Sequence, residues 1–342
     1  MATYNYKRVY SLIVGKPPLS KPLPTQAYVP FTSSDAFQFT ELYETNTDFK
    51  IEVPSRSVYI SDLQMVADIS SSSESSSDGD KATIKIYNLP DSERGIVQAI
   101  DSNIILKAGY ESSIKDGNTS SLPIVFVGQV AYSKTHWEGA DRVTTLNCKA
   151  GFTPATSVKI SYTLPPLAPQ YQTFSEVFYA LGDIWKENGV SSVNMELSQT
   201  AWNDITAPSP LTQSIEYGWS YEGYLRDAMD DLCGMYNYVW YITNNNLYVH
   251  HKKFNKFASF IDLDENQTLE IQDEQDSSKA VDTKDTSKRV KIKLLLDGRI
   301  KDGYMLRIPF GEYKGTYSIK GRSYSLDYRG NDWYINLIAE SI

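Results

Sequence analysis

The feature that most narrows the fold is a period-two alternation of apolar and polar residues. It recurs in blocks at both ends of the chain, with two helix-period segments between them. ATIKIYNLPDSERGIVQAIDSNIILKAGY, from Ala82 to Tyr110, shows how orderly these blocks are. Ile84 and Ile86 alternate with Thr83, Lys85 and Tyr87, as in a strand with one buried face. Pro90 ends it, because proline donates no ladder hydrogen bond, yet it suits the first turn of a helix. Asp91 and Glu93 place negative charge where a helix N-terminus favours it. Ile96, Val97 and Ile100 give a short apolar stripe, and Ile104 to Tyr110 returns to strand. The unit contains no His, no Cys and no catalytic pair.

The same alternation predicts one early strand over 9–14 within an extended arm, then strands over 49–53, 58–60, 63–69, 124–131 and 142–150, which make an antiparallel β domain with one inserted helix. A second β block is expected from strands at 290–296, 304–308, 316–324 and 333–340, separated by Gly-containing turns. Between the blocks, Thr173–Asn188 reads as a helix, with Thr173 and Glu176 as a capping box and Gly189 as its C-terminal cap. Phe174, Val177, Phe178, Leu181, Ile184 and Trp185 form its apolar face. A second helix is expected from about Ser220 to Met235, followed at once by a hairpin around Asn244-Asn245-Asn246. Three segments read as irregular: the proline-rich stretch from Pro17 to Pro30, the low-complexity SSSSESSSDGD from Ser70 to Asp80, and the linker TLPPLAPQ from Thr163. The acidic stretch from Asp262 to Asp276 contains no base and reads as a solvated loop. The resulting division is an extended arm over 1–50, a first β domain over 51–162, a helical and α/β module over 163–255 and a second β domain over 256–342. The blocks share an echo: Gly139-Ala140-Asp141-Arg142-Val143-Thr144-Thr145-Leu146 lines up with Gly330-Asn331-Asp332-Trp333-Tyr334-Ile335-Asn336-Leu337, a Gly-x-Asp turn feeding a closing strand.

The chemistry-bearing residues are sparse. With 42 acids against 33 bases the net charge is −9, which disfavours gripping phosphate backbones. Cys148 and Cys233 make no disulfide framework and read as small core residues. His250 and His251 are adjacent in an expected strand and so point to opposite faces, while His136 belongs to another domain. No spacing fits zinc. Asp262, Asp264 and Asn266 resemble the start of a calcium loop, but Gln267 and Asp273 stand where it needs Gly and Glu. Gly15-Lys16-Pro17 is no phosphate loop, and no nucleophile elbow or glycosidase pair stands out. No catalytic, cofactor-binding or metal-binding residue is therefore assigned, and no enzymatic activity is expected. The N-terminus has no apolar signal core and no run is long enough to span a bilayer, so synthesis in the cytosol is expected. The 25 tyrosines suit half-buried surfaces and interfaces.

From about Leu63 onward the order of the segments resembles the central baseplate hub proteins of phages. LQMVADISSS, TIKIYNL with its short helix, IILKAGYE and PIVFVGQV, closed by the Gly-x-Asp turn, look like the first barrel of that family. SYEGYLRDAMDDLCGMYNYVWYITNNNLYVHHK resembles its middle module, which type VI secretion spike proteins also carry. LLLDGRIKDGYMLRI and GTYSIKGRSYSLDYRGNDWYINLIAE look like the second barrel. The resemblance implies a mainly β chain with α/β insertions, in which two similar antiparallel β-barrels and a small α/β module assemble as a ring. It implies a homotrimer that adapts a hexameric tail tube to a trimeric spike. Its partners would be tail tube protein, tail spike protein and other baseplate proteins, with DNA passing through without specific binding. The protein would reside in the virion tail after assembly in the host cytoplasm. A carbohydrate- or receptor-binding tail-tip protein is the alternative, and a tail-tip wall hydrolase a third reading.

Overall fold

The computed structural model describes residues 7–15, 57–72, 79–100, 102–111, 121–150, 158–164, 173–188, 190, 192–197, 213–215, 217–243, 246–251, 259–274, 288–301 and 303–342. The first β block holds β1 (Arg8–Gly15), β2 (Ser57–Ile60), β3 (Met65–Ser72), β4 (Lys81–Tyr87), α1 (Asp91–Val97), β5 (Asn103–Tyr110), β6 (Ile124–Glu138) and β7 (Asp141–Lys149). An α/β module follows, with β8 (Lys159–Leu164), α2 (Phe174–Glu187), β9 (Ser192–Met195), β10 (Trp219–Tyr224), α3 (Leu225–Tyr236), β11 (Tyr238–Thr243) and β12 (Asn246–His251). The second β block holds β13 (Phe260–Asp262), a 3-10 turn (Glu265–Gln267), β14 (Thr268–Asp273), β15 (Arg289–Leu295), β16 (Met305–Ile308), β17 (Gly315–Asp327) and β18 (Trp333–Ser341).

The strands of both blocks belong to one 13-stranded sheet, β14-β15-β18-β17-β3-β4-β7-β6-β5-β1-β2, with β16 on β17 and β13 on β16. The mainly β class, with two similar antiparallel units and an α/β module, is as expected; the two units are halves of one sheet.

The halves repeat one another in order and in register. β3-β4-β7-β6-β5 and β14-β15-β18-β17-β16 use their strands in the same sequence order, and every neighbouring pair is antiparallel. Both long strands carry a β-bulge, between Val130 and Tyr132 in β6 and between Ile319 and Gly321 in β17. Counted from the bulge, Leu146 lies opposite Ser133 and Leu337 opposite Arg322 at the same offset. The next ladder sets Ile84 beside Leu146 and Ile292 beside Leu337, and the one after it sets Ala67 beside Ile84 and Ile271 beside Ile292. Leu146, Leu337, Ile84 and Ile292 are all fully buried in one core that runs through both halves. The Gly-x-Asp echo therefore marks matching strands. The match breaks at α1: among the described residues no helix stands between β15 and β16.

The α/β module has its own core. α2 buries Val177, Phe178, Leu181 and Trp185; α3 buries Leu225, Ala228, Met229 and Leu232. They pack on the sheet β11-β12-β9, with the Trp185 and Trp240 rings 5.4 Å apart and Trp240 Nε1 donating to Asp230 Oδ1 at 2.8 Å. β8 pairs with β10. Cys148 and Cys233 are buried, one in each core. No helix among the described residues is long and apolar enough to cross a membrane.

Several local expectations need correction. The helix expected from Ser220 begins at Leu225, because Trp219, Tyr221 and their polar neighbours alternate with period two and form β10 instead. The capping box at Thr173 does not form: its hydroxyl meets Ser175 Oγ at 2.6 Å, and the Glu176 amide donates to the Thr173 carbonyl at 3.0 Å. Ser70 to Ser72 extend β3, because β17 supplies a partner ladder that low complexity does not reveal. The acidic stretch is β13, a 3-10 turn and β14, since Leu269 and Ile271 carry enough β character to add a strand on β15. The proline-rich stretch 17–30, the strand at 49–53, Gly189 and the tip of the Asn turn lie outside the described residues.

Because Leu146 and Leu337 occupy matching buried places, Leu146→Ala and Leu337→Ala should cost similar amounts, each about 2–5 kcal/mol. Urea unfolding of the two variants measures this, and a near-neutral effect at either position contradicts the equivalence.

Candidate functional site at the seam between the β units

The seam begins at a glycine. Gly79 has φ +59°, and a Cβ there would lie 2.9 Å from the Ala150 carbonyl oxygen, so a side chain is excluded twice over. This tight approach sets Asp80 just before β4, where its amide donates to Ile242 O at 3.2 Å and its carbonyl accepts from Ala150 N at 2.8 Å. The Asp80 side chain then faces Arg322 of β17. Arg322 Nη2 donates to Asp80 Oδ2 at 3.0 Å and to Thr243 Oγ1 at 2.7 Å, and Thr243 Oγ1 donates to Asp80 Oδ2 at 2.9 Å. Arg322 Nη1 donates to the Tyr324 hydroxyl at 2.9 Å and to Ile300 O at 3.3 Å. The Arg322 and Asp80 side chains are 0 % and 1 % exposed. Nearby, burial first and the Arg322 charge second push the Lys301 ammonium below the usual lysine range.

Three modules meet in this network: Asp80 comes from the first β unit, Thr243 from the end of β11, and Arg322 from the second unit. A buried charge pair gives little net stability against apolar packing, but removing one partner strands the other charge in a dry interior. The pair therefore tolerates one relative placement of the modules.

A second contact pins the other end of the seam. The hairpin tip after β17 docks on β1 and β5. Arg8 Nη1 donates to Asp327 O at 2.7 Å and to Gly330 O at 2.5 Å, and Nη2 donates to Asn331 O at 3.0 Å. Trp333 Nε1 donates to Gly109 O at 3.1 Å, and Tyr110 donates its hydroxyl proton to Trp333 O at 3.2 Å. Tyr10 packs edge-on against Tyr328 at 4.9 Å, and burial pushes its phenol well above the usual range. Between the two contacts, β3 pairs with β17 from Val66–Asp327 to Ser72–Gly321.

The fold has known counterparts. A tail protein from Neisseria meningitidis MC58 is similar, with a TM-score of 0.52 at 11 % identity, covering 83 % of this chain and 94 % of that one. The prophage MuSo2 43 kDa tail protein from Shewanella oneidensis gives a TM-score of 0.51 at 10 % identity over 83 % and 94 % of the two chains. An E. coli protein, c3393, gives 0.50 at 9 % identity over 82 % of this chain and 74 % of that one. It is described as a component of the type VI secretion system with structural similarity to the T4 tail proteins gp27 and gp5. The chain shares its fold with phage tail proteins. No protein-family model and no curated protein sequence matches it.

The structure does not gather the histidines. His136 lies exposed in β6; His250 and His251 lie in β12 and point to opposite faces, one against Tyr241 and the other against Tyr238. The calcium-like carboxylates have local work: Asp262 pairs with Arg307, whose hydrogen bond holds the carboxyl below its usual range, and Asp264 caps the 3-10 turn through Asn266 N at 2.9 Å. Among the described residues no group of three or more His, Cys, Asp or Glu is placed to hold a metal ion. The residues that matter at the seam, Gly79, Asp80, Thr243 and Arg322, were not singled out by sequence. The only cue was a Gly-Asp pair at the end of a serine run.

Arg322→Ala should destabilise the chain by about 3–5 kcal/mol, because Asp80 is left buried and unpaired. The double variant Asp80→Ala, Arg322→Ala should lose clearly less than the sum of the two single losses. A double-mutant cycle by chemical denaturation reads both, and additive losses contradict the coupling.

Proposed function

We propose that this chain is a structural virion protein, the central hub of a phage tail baseplate. It works as a homotrimer that joins a hexameric tail tube to a trimeric spike and lines the channel through which DNA passes. The in-register duplication carries this reading. Three chains with two like β units each present six like surfaces to a sixfold partner. Among the described residues the α/β module occurs once per chain, so the same ring meets a threefold partner through surfaces that repeat three times. The buried Asp80–Arg322–Thr243 network supports the reading, because a part that adapts one symmetry to another has to hold its units at a fixed angle. The net charge of −9 suits a channel that repels DNA and lets it slide. The hub contacts tube protein, spike protein and other baseplate proteins, forms in the host cytoplasm and ends in the virion tail.

The purified chain, alone or with its spike partner, should have a mass of three times its 38.6 kDa. Light scattering coupled to gel filtration checks this. A monomeric mass at high concentration with the spike present contradicts the hub reading and favours a sugar- or receptor-binding tail-tip protein, which needs no ring. Replacing His136, His250 and His251 together with Gln should leave tail assembly and infectivity intact in a variant that folds. Lost wall-degrading turnover in such a variant would show that the chain is an enzyme.

A further inference from the structure

The duplication leaves two strand edges without their counterpart's partner. On its outer side β17 carries two strands in line: β16 along 315–318 and β3 along 321–327. On the same side of β6, β5 pairs only as far as Gln129, and among the described residues the stretch from Tyr132 to Glu138 pairs with β7 alone. At the other end of the sheet, β14 pairs with β15, while the side that corresponds to the β17-facing side of β3 holds no strand among the described residues. Exposure follows this difference. Trp137 is 69 % exposed and Tyr132 55 %, whereas Leu326, the counterpart of Trp137, is 1 % exposed beneath the β3 ladder. On the β14 edge Leu269 is 51 % exposed.

We propose that copies of this chain join by strand addition, the free edge of β14 in one protomer pairing antiparallel with Tyr132–Glu138 of β6 in the next. The register is that of the β3–β17 ladder inside the chain. The proposal rests on the ring reading above and names the contact that closes the ring.

Backbone direction agrees. Glu274 donates its amide to Arg289 O at 3.0 Å, so Glu274 and Gln272 face β15, and Asp273 and Ile271 turn their amides and carbonyls outward. In β3 the Met65 carbonyl accepts from Tyr328 N at 2.9 Å, so Met65, Ala67 and Ile69 face β17. By the two internal ladders, Ala67 and Ile69 are the counterparts of Ile271 and Asp273. Side chains agree as well. Transferring the register sets Trp137 opposite Ile271, His136 opposite Gln272, Thr135 opposite Asp273 and Lys134 opposite Glu274. An apolar pair sits at one end and an opposite-charge pair at the other, both favourable across strands. Glu138 and Glu270 meet only at the extreme end, where β14 is irregular.

Each protomer has one edge of each kind, so the contact is head-to-tail. It repeats between chains the join that β17 and β3 make within a chain, and such contacts build a closed ring when the rotation closes. A long open edge with exposed aromatic residues is otherwise an aggregation hazard, which pairing removes.

Cysteine pairs test the register. The His136–Gln272 position is a non-hydrogen-bonded pair, where side chains are closest. His136→Cys with Gln272→Cys should give chain-to-chain disulfides, seen as covalent dimers and trimers on a non-reducing gel; His136→Cys with Glu270→Cys should give few. Asp273→Pro removes an outward amide that has no partner among the described residues, together with the exposed Asp273–Lys288 ion pair; it should weaken assembly on the order of tenfold per contact while shifting the melting curve no more than Asp273→Ala, which loses the ion pair alone. Wild-type trimers with no in-register disulfide, and Asp273→Pro trimers as tight as wild type, overturn the edge proposal and leave the ring reading standing. A wild-type chain that is monomeric by mass, with its spike present, overturns both.

Discussion

A guanidinium, a carboxylate and a hydroxyl, sealed from water, hold this chain in shape. Arg322, Asp80 and Thr243 each come from a different module, and their hydrogen bonds close a small ring in the dry core. Hydrophobic packing alone is permissive about angle, because apolar surfaces slide at small cost. A buried ion pair is not permissive, because a shift of about an ångström exposes charge to a medium that cannot solvate it. The network therefore acts on geometry more than on net stability. The left-handed Gly79 and the Asp80 amide and carbonyl bonds to β11 and Ala150 bring the carboxylate to the one place where Arg322 can reach it.

Around that point the two β units are joined by ordinary means. The β3–β17 ladder makes their sheets continuous, and Arg8 collects three carbonyls of the β17–β18 tip. The first unit's own tip, the short turn Gly139-Ala140 between Glu138 and Asp141, is tighter than the β17–β18 tip and stands exposed. The fold thus contains one completed unit-to-unit join, while among the described residues β14 and the Tyr132–Glu138 end of β6 carry no strand in the corresponding place.

Much of the architecture was legible in the sequence, for identifiable reasons. Alternation in 82–87 and 290–295 reports a buried face directly, and the Gly-x-Asp turns lock the hairpin register, so the match of Leu146 with Leu337 could be read from eight residues. Where the reading failed, tertiary context had overridden local signals. Ser70 to Ser72 have weak strand character and become strand because β17 lies beside them. Ser220 to Tyr224 fall within the helix that the sequence predicts, although their alternation with Trp219 is of the strand kind. The seam network was invisible for a related reason: its members are separated by 163 and 79 residues, and nothing local distinguishes a buried Asp80 or Arg322 from a surface one. No catalytic constellation is expected from the scatter of three histidines, whereas a structural role is legible in the order of the segments, which resembles that of phage baseplate hub proteins.

In the proposed hub, three chains with two equivalent units each make a ring of six like parts. End-on class averages of the isolated particle by electron microscopy test it most directly. The account predicts a closed ring with six similar lobes around an open centre and strict threefold symmetry, the α/β modules recurring at every second lobe. A compact particle without a channel, or a ring whose lobes number other than six, would contradict it.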